Sequence, residues 1–395
     1  MENKKIYIVA ENYNLLNFRI LKLLTLRNKY KILLFVARSK NNNKIIHPDD
    51  IFIRKYKNIF GIFRKLGFSN IANKLSSIFY FPSSNILYIK KVVSYIEKDI
   101  VNNKINDLIL ITTCPPHDLA LVGLTLKKKY PNLKWINDLQ DLWSYDEYYF
   151  NRFTEKEKKK VLALESKILN KADYTVVSNE FAQNVLINKY KVPLDKVKSI
   201  YHPFDRKELN IEIVKNVNNI PSIAFVGMLF KEPKVPGKKL ILALNDYVKK
   251  RGKKIIFNLI GDIIPENLKS MLDSNLIIKE YKGLNHTKAF ELASQSDYLS
   301  ILLGDVANAR VIMHAKLSHY LLLNKPILAF VPEDSFVAKV VNTTGTGRVI
   351  NFKQIWSDEI DLIIQSENEF YKPDGNEIEK FCLENFLNEF MKVID

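Results

Sequence analysis

A stretch of sixteen residues, KWINDLQDLWSYDEYY at 134–149, holds four carboxylates and five aromatic rings in a chain otherwise rich in lysine, asparagine and isoleucine. Two of the carboxylates lie at the end of the strand-like run KWINDL: Asp138 is its next-to-last residue, and Asp141 follows it. Carboxylates at a strand end can act as acids and bases, or can hold sugar hydroxyls in place. The stretch therefore has three interpretations: a catalytic edge, a binding surface, or an acidic loop after a strand.

The elements around this stretch alternate between strands and helices. A strand at 6–10, a helix at 15–28 and a strand at 31–37 open a β-α-β rhythm that predicts a parallel sheet. The rhythm restarts after a polar, asparagine-rich linker at 206–220. We predict an α/β architecture with domains at 1–205 and 206–375 and one amphipathic C-terminal helix at 376–395, expected to pack back across the domains. Ligands of such sheets bind at the carboxyl edges of the strands.

The net charge of +17 is confined to the first half of the chain. Residues 1–200 carry 35 basic and 18 acidic side chains, whereas residues 201–395 carry 25 of each. This asymmetry predicts that the N-terminal half faces something anionic. Lysine and arginine alternate with phenylalanine and tyrosine across 51–81, which favours peripheral association with an anionic membrane surface. A helix pair with basic solvated faces is the alternative, and no pattern for nucleic-acid binding accompanies the charge.

Cysteine and histidine offer little for disulfide or metal chemistry. The two cysteines lie far apart, and the six histidines are scattered without ligand spacing. We therefore expect no metal and no cofactor. The N-terminus lacks the apolar core of a signal peptide, and no apolar run reaches the roughly 18 residues of a membrane span. These observations predict a cytoplasmic protein, peripheral at the inner face of the plasma membrane. G-x-G-x-x-G, P-loop, H-E-x-x-H and G-x-S-x-G motifs are all missing.

A longer segment, ITTCPPHDLALVGLTLKKKYPNLKWINDLQDLWS at 111–144, resembles bacterial family-4-like glycosyltransferases of the GT-B fold. Their Ser/Thr-x-Pro-Pro turn is matched here by Thr113, and their Asp-x-Arg-Asp-x-Trp motif by Asp138, Asp141 and Trp143. Gln140 stands where the family has arginine, which removes a donor fork. Further similar segments cover most of residues 100–350. The resemblance implies two Rossmann-like doubly wound domains that face a central cleft, the first binding the acceptor and the second the nucleotide sugar.

The resemblance also implies where the donor binds in the second domain. A nucleotide-diphosphate sugar gains negative charge on its leaving phosphates as the glycosidic bond breaks, so cations must meet that charge. The implied donor-site residues are Lys238, Arg310, Lys316, His319, Gly283 and Leu284. Among them, Arg310 and Lys316 are the main phosphate candidates, and Gly283 and Leu284 stand where the family grips the base. Solvated loop lysines or a structural histidine are the alternatives.

His319 takes the place of the family's ribose-binding glutamate, and Val311 that of an earlier glutamate. An imidazole can accept a hydrogen bond from one hydroxyl but lacks bidentate carboxylate geometry.

In the first domain, Asp138, Asp141 and His117 are the implied sugar-contacting residues. Turn chemistry and helix capping are the alternative roles for such strand-end groups. The family retains anomeric configuration, and a favoured account has the leaving phosphate accept the acceptor's proton. We therefore expect Asp138 and Asp141 to position sugar hydroxyls rather than form a hydrolase pair. Trp143 can stack on a sugar face or be a buried tryptophan at a domain edge.

Taken together, the sequence predicts a glycosyltransferase that moves a sugar from a nucleotide-diphosphate sugar to a glycan or lipid-linked acceptor. The pathway implied is surface polysaccharide synthesis. A nucleotide-sugar 2-epimerase of the same architecture and a non-catalytic GT-B partner subunit remain as alternatives, since Gln140, Val311 and His319 depart from the family pattern. A two-lobed secreted ligand-binding protein fits less well, because no signal peptide precedes the first strand.

Overall fold

The computed structural model describes residues 4–12, 18–38, 47–54, 67, 81–83, 85–105, 107–145, 150–151, 153–208, 220–230 and 236–395. The chain divides into two compact units. The first comprises Met1–Ile200 and Leu387–Asp395, and the second comprises Tyr201–Phe386.

The first unit is built on a parallel seven-stranded sheet in the order β3-β2-β1-β4-β5-β6-β7. Its strands are β1 (Lys5–Asn12), β2 (Lys31–Arg38), β3 (Ile51–Arg54), β4 (Leu108–Cys114), β5 (Lys134–Leu139), β6 (Tyr174–Val177) and β7 (Val197–Ser199). Its helices are α1 (Phe18–Leu23), α2 (Ile86–Asn103), α3 (Ala120–Lys129), α4 (Glu155–Lys171) and α5 (Glu180–Tyr190). The strand order reverses between β1 and β4, which is where doubly wound sheets bind ligands at their carboxyl ends.

Close packing of α3 on β5 depends on a glycine in the middle of the helix. Trp135 on β5 is fully buried and donates its indole N–H to Thr112 Oγ1 at 2.9 Å. A Cβ atom added at Gly123 of α3 would lie 1.9 Å from the Trp135 ring. The missing side chain therefore lets the helix approach the indole closely enough to bury it.

The second unit repeats the design with a parallel six-stranded sheet in the order β10-β9-β8-β11-β12-β13. Its strands are β8 (Ser222–Val226), β9 (Ile255–Ile260), β10 (Leu276–Tyr281), β11 (Tyr298–Leu302), β12 (Ile327–Phe330) and β13 (Gly347–Ile350). Its helices are α6 (Gly237–Arg251), α7 (Glu266–Lys269), α8 (His286–Ser294), α9 (Ala315–Leu322), α10 (Phe336–Thr343), α11 (Trp356–Gln365) and α12 (Gly375–Glu379). A last helix, α13 (Leu383–Ile394), begins in this unit and ends in the first.

The predicted fold class, two Rossmann-like α/β domains, is confirmed, although several elements differ from the sequence prediction. The C-terminal segment is two helices rather than one, because α12 ends at Glu379 and α13 begins at Leu383. Within the described part of the first predicted helix, α1 ends at Leu23 and a 3-10 turn at Leu24–Asn28 follows it. Strand β3 occupies the start of the 51–81 tract, for which a helix pair was the alternative prediction, and α2 lies at 86–103, where no element was predicted.

No helix in the described part of the chain is long and apolar enough to cross a membrane. The basic-aromatic tract at 51–81 lies mostly outside the described residues, since only 51–54, 67 and 81 are described. Its predicted contact with an anionic surface therefore stays a prediction.

Candidate active site

Two glycines shape the carboxyl edge of the second sheet. Gly227 follows β8 with φ 123° and Gly261 follows β9 with φ 111°, conformations that favour glycine. Gly227 N–H donates to Ile260 O at 2.8 Å, and a Cβ added at Gly261 would lie 3.2 Å from Gly227 O. Asp262 then accepts hydrogen bonds from Leu229 N–H and Phe230 N–H, each at 2.8 Å. These hydrogen bonds connect the loops after β8 and β9, and the two glycines leave their backbone uncovered by side chains of their own.

Lys316 brings a cation to this glycine edge. Its Nζ donates to Val226 O, the last residue of β8, at 2.9 Å and lies 4.1 Å from the centroid of the Phe225 ring. A Cβ added at Gly227 would lie 3.4 Å from Lys316 Nζ. One turn later on α9, the Tyr320 hydroxyl accepts from Val226 N–H at 3.1 Å. Helix α9 is thereby held against the end of β8, with its ammonium group beside Gly227.

His319 lies on the same helix inside an aromatic cluster. Its side chain is 2% exposed, and its Nδ1 is 2.9 Å from Ala315 O. The Phe290 ring stacks on it at 4.7 Å between centroids, and the His286 ring meets it edge-on at 4.6 Å. The carbonyl contact favours the tautomer with the proton on Nδ1, which makes Nε2 a hydrogen-bond acceptor.

Burial, with a smaller contribution from the nearby Lys316 ammonium, lowers the pKa of His314 to about 3. A neutral imidazole therefore precedes α9 across the physiological pH range.

Arg310, the other predicted phosphate ligand, is engaged by two carboxylates. Its Nη2 donates to Asp305 at 2.9 Å and its Nε to Asp334 at 2.8 Å. Both hydrogen bonds raise the pKa of the guanidinium, and the one to Asp334 contributes more than the one to Asp305. A phosphate would have to compete with these carboxylates for the arginine.

The remaining predicted donor-site residues are exposed. Lys238 lies in the first turn of α6, directly after Gly237. Gly283 has φ 68° and open space at its Cβ position, and Leu284 is 40% exposed. Asn285 then caps α8 by accepting from Lys288 N–H at 2.9 Å. The lysines at 231 and 234 lie outside the described residues.

In the first unit, Asp138 is part of a buried ion pair. Its side chain and that of Arg19 on α1 are both 0% exposed, with Arg19 Nη2 2.9 Å from Asp138 Oδ1. Gln140 Nε2 donates to Asp138 Oδ2 at 3.1 Å and lies 3.3 Å from Thr113 Oγ1. Burial raises the pKa of the Asp138 carboxyl, and the positive charge of Arg19 opposes that shift. Both carboxylate oxygens are thus occupied by side-chain donors.

His117 and Trp143 form a stacked pair beside this network. Their ring centroids are 5.5 Å apart with planes 12° from parallel, and the side chains are 1% and 2% exposed. Together with Cys114 they line a small cavity over β4 and β5. Asp141 is half-buried and lies two residues before Trp143 in the sequence. The structure therefore brings Asp138, His117 and Asp141 to the same edge of the first sheet.

Asp118, which follows the Pro-Pro turn at a position where a helix cap is common, is buried and accepts from Ser83 and from Asn85 Nδ2. Burial raises the pKa of its carboxyl. The residue preceding the helical turn, Pro116, makes no side-chain cap. Asp118 thus fastens the start of α2 to the end of β4 rather than capping a helix.

The second half of the acidic stretch begins with a polar cluster. Ser144 Oγ lies 2.9 Å from the Tyr190 hydroxyl and accepts from Lys189 Nζ at 2.7 Å. Glu165 of α4 accepts from Ser144 N–H at 3.2 Å and from the Tyr190 hydroxyl. Residues 146–149 lie outside the described part. Ser144 therefore fixes the loop after β5 to α4 and α5.

Comparisons with known proteins show the fold. No protein-family profile matches the chain, and no curated protein sequence matches it. A glycosyltransferase from Rickettsia africae superposes with TM-score 0.65 at 13% identity, covering 100% of this chain and 98% of that one. Anabaena Alr3699/HepE in complex with UDP superposes with TM-score 0.64 at 13% identity, covering 99% of both chains.

The Neisseria meningitidis UDP-GlcNAc 2-epimerase bound to UDP-GlcNAc is also similar, with TM-score 0.55 at 11% identity and 99% of both chains covered. At these identities the likeness shows the fold alone. The chain therefore has the GT-B architecture that its sequence predicted.

Proposed function

We propose that the protein is a GT-B glycosyltransferase that moves a sugar from a nucleotide-diphosphate sugar to a glycan or lipid-linked acceptor. The observation that carries the proposal is the ammonium group of Lys316 beside the bare backbone of Gly227 and Gly261 at a sheet edge. An anionic ligand can approach such a backbone closely, and a fixed cation there stabilises charge as it develops on a leaving phosphate.

The second unit would bind the donor. In the proposed site, Lys316 and Lys238 meet the diphosphate, and His319 accepts a hydrogen bond from a ribose hydroxyl. The backbone at Gly283 and Leu284 contacts the base. Arg310 joins the phosphate contacts by exchanging one of its two carboxylate partners. The HepE structure contains UDP in a protein of the same fold, which supports a uridine nucleotide as the first ligand to test.

The first unit would bind the acceptor, with the half-buried Asp141 near its sugar hydroxyls and the buried His117 and Asp138 behind it. Transfer with retention, in which the leaving phosphate takes the acceptor's proton, needs no dedicated protein base. The excess of basic residues in 1–200 supports an acceptor presented at an anionic membrane surface. Synthesis of a surface polysaccharide is the pathway that such an acceptor favours.

Titration of the full-length protein with UDP, GDP, ADP, CMP and dTDP tests the donor site directly. One nucleotide diphosphate should stabilise the protein by about 2.7 kcal/mol at a hundredfold excess over its Kd. Lys316→Ala should weaken that binding by about 1.5–3 kcal/mol, the usual contribution of a hydrogen bond to a charged group. Lys254→Ala is the matched control, because Lys254 is an exposed lysine preceding β9, at the opposite edge of the same sheet. If the Lys316→Ala variant binds the nucleotide with wild-type affinity, the ammonium group of Lys316 does not contact the phosphates.

A nucleotide-sugar 2-epimerase is the second candidate, and the structural likeness to the Neisseria enzyme favours it. An epimerase converts its nucleotide sugar without an acceptor. Incubation with UDP-GlcNAc alone, followed by analysis of the sugar product, separates the two activities. An inverted C2 centre with no acceptor present would replace the transferase proposal, whereas nucleotide binding without any turnover would point to a non-catalytic subunit.

A further inference from the structure

Arg19 is a fully buried cation of the first unit that the proposed reaction has not yet used. Its Nη2 donates to Asp138 Oδ1 at 2.9 Å and its Nη1 to the carbonyl of Ile200, which follows β7. The guanidinium also lies 5.9 Å from the centroid of the Phe390 ring, on the part of α13 that belongs to this unit. A single side chain from α1 thus links the carboxyl ends of β5 and β7.

Gln140 is fixed by the same carboxylate. Its Nε2 donates to Asp138 Oδ2 at 3.1 Å and lies 3.3 Å from Thr113 Oγ1 on β4. Its backbone N–H donates to Cys114 O at 3.0 Å, and its carbonyl accepts from Ser178 Oγ at 3.2 Å. Residue 140 is therefore held between the ends of β4 and β6, with its side chain resting on Asp138.

The residues that follow Gln140 are those expected to meet the acceptor. Asp141 is half-buried, and Trp143 is buried against the His117 ring. The position of this short loop, residues 140–143, sets the position of Asp141 directly and of His117 through the stacked rings. A shift of about 1 Å in such groups can lower a reaction rate by about a hundredfold.

We propose that Arg19 is a positioning residue for the acceptor side: it holds Asp138 as a carboxylate with two acceptor oxygens, which fixes Gln140 and the 140–143 loop. This role rests on the proposed function of the first unit. Without the guanidinium, the buried carboxyl would take up a proton, because burial disfavours its charged form. A protonated carboxyl carries its proton on one oxygen, which then donates a hydrogen bond. If that oxygen is Oδ2, it no longer accepts the hydrogen bond from Gln140 Nε2 in the same way.

Three variants of the full chain test the role. Arg19→Gln removes the guanidinium, and Arg19→Gln with Gln140→Arg returns one to the same carboxylate from the other side. Arg27→Gln is the matched control, since Arg27 pairs with Asp50, whose side chain is also 0% exposed, in the same unit. Arg19→Lys, which keeps the charge, serves if Arg19→Gln does not fold.

The first readout is the indole N–H resonance of Trp143 in ¹H–¹⁵N spectra, assigned with Trp143→Phe. We expect it to move in Arg19→Gln, to return towards its wild-type position in the transposed double variant, and to stay in place in Arg27→Gln. An unmoved resonance in Arg19→Gln, or a double variant that folds without returning it, would overturn the positioning role.

The second readout separates acceptor from donor. UDP affinity is measured by calorimetry, and transfer is followed from UDP-glucose to a phenoxyundecyl-diphosphate-linked N-acetylglucosamine. Arg19→Gln should raise the acceptor KM by about tenfold or more, while its UDP affinity and that of Arg27→Gln stay at the wild-type value. An unchanged acceptor KM, or a loss of UDP affinity, would contradict the inference. If the wild-type protein binds no UDP, the proposed donor site fails, and the Trp143 resonance still decides the role of Arg19.

Discussion

Removing the charge of Arg19 should cost much of the stability of the first unit, and the cost should depend on pH. Arg19→Gln leaves the Asp138 carboxyl with 0% exposure and without the opposite charge at 2.9 Å, so at neutral pH the folded state must either keep an unpaired buried charge or bind a proton to remove it. Breaking a buried pair by removing one partner typically costs about 3–5 kcal/mol, a large share of the roughly 5–15 kcal/mol that stabilises a folded protein. Arg19→Gln with Asp138→Asn removes both charges and should recover most of that loss, because replacing a whole buried pair is often nearly neutral.

The sign of the pH dependence follows from the buried carboxyl. Burial places the folded-state pKa of Asp138 above its unfolded value, and without Arg19 the hydrogen bond from Gln140 is the remaining interaction that opposes that shift. Between the unfolded pKa of about 3.9 and the raised folded pKa, the folded state binds more protons, so stability falls as pH rises. The penalty of Arg19→Gln should therefore be small near about pH 4 and largest above the folded pKa.

Urea denaturation in a Trp356→Phe background measures this penalty in the first unit alone. The remaining tryptophans, Trp135 and Trp143, both belong to that unit, so their fluorescence reports its unfolding. A penalty below about 1 kcal/mol at neutral pH, the value typical of an exposed pair, would refute the reasoning. So would a penalty that grows on acidification.

Two further predictions concern packing in the first unit. Gly123→Ala should lower the free energy of unfolding by about 1–3 kcal/mol, because the added methyl group would overlap the Trp135 ring; an unchanged urea midpoint would contradict the close approach. Phe390→Ala should cost about 3–5 kcal/mol, since the ring is 0% exposed and lies against Arg19. A loss below about 1 kcal/mol in denaturation would show that the end of α13 adds little to this unit.

Local patterns predicted the fold and part of the candidate site. Sequence patterns predicted strands at 6–10 and 31–37 and the strand-like run KWINDL, which correspond to β1, β2 and β5. Lys316 was found because its motif places it near the start of a helix that follows a strand. Gly227 directly follows β8, and its place in the candidate site emerges only from its positive φ and its distance to Lys316. Local sequence patterns could therefore locate residues whose surroundings are set by a single helix or strand end.

The burial of Arg19 and its pairing with Asp138 could not be predicted from the sequence, for a physical reason. It sits in a run of leucines, lysines and arginines that is typical of a half-exposed amphipathic helix, where an arginine normally faces solvent. Its carboxylate partner is 119 residues away in sequence, so no spacing rule connects them. The break between α12 and α13 was not predicted because an apolar pattern continues across residues 380–382, and the chain passes from the second unit to the first only within α13.

The motif that residues 138–143 resemble has an arginine where this chain has Gln140. In this structure another residue supplies the cation that pairs with Asp138. A buried carboxylate such as Asp138 requires a cation within hydrogen-bond distance. The cation can come from any element of the fold that reaches the carboxylate. Here the cation comes from Arg19 on α1, which leaves residue 140 free to be an amide. A glutamine can donate to Asp138 and Thr113 together, as its Nε2 distances of 3.1 and 3.3 Å show. With Gln140 at this position the Asp138 carboxylate is still compensated by a guanidinium, supplied by α1, so the difference from the motif that the sequence resembles is not by itself a reason to expect loss of activity.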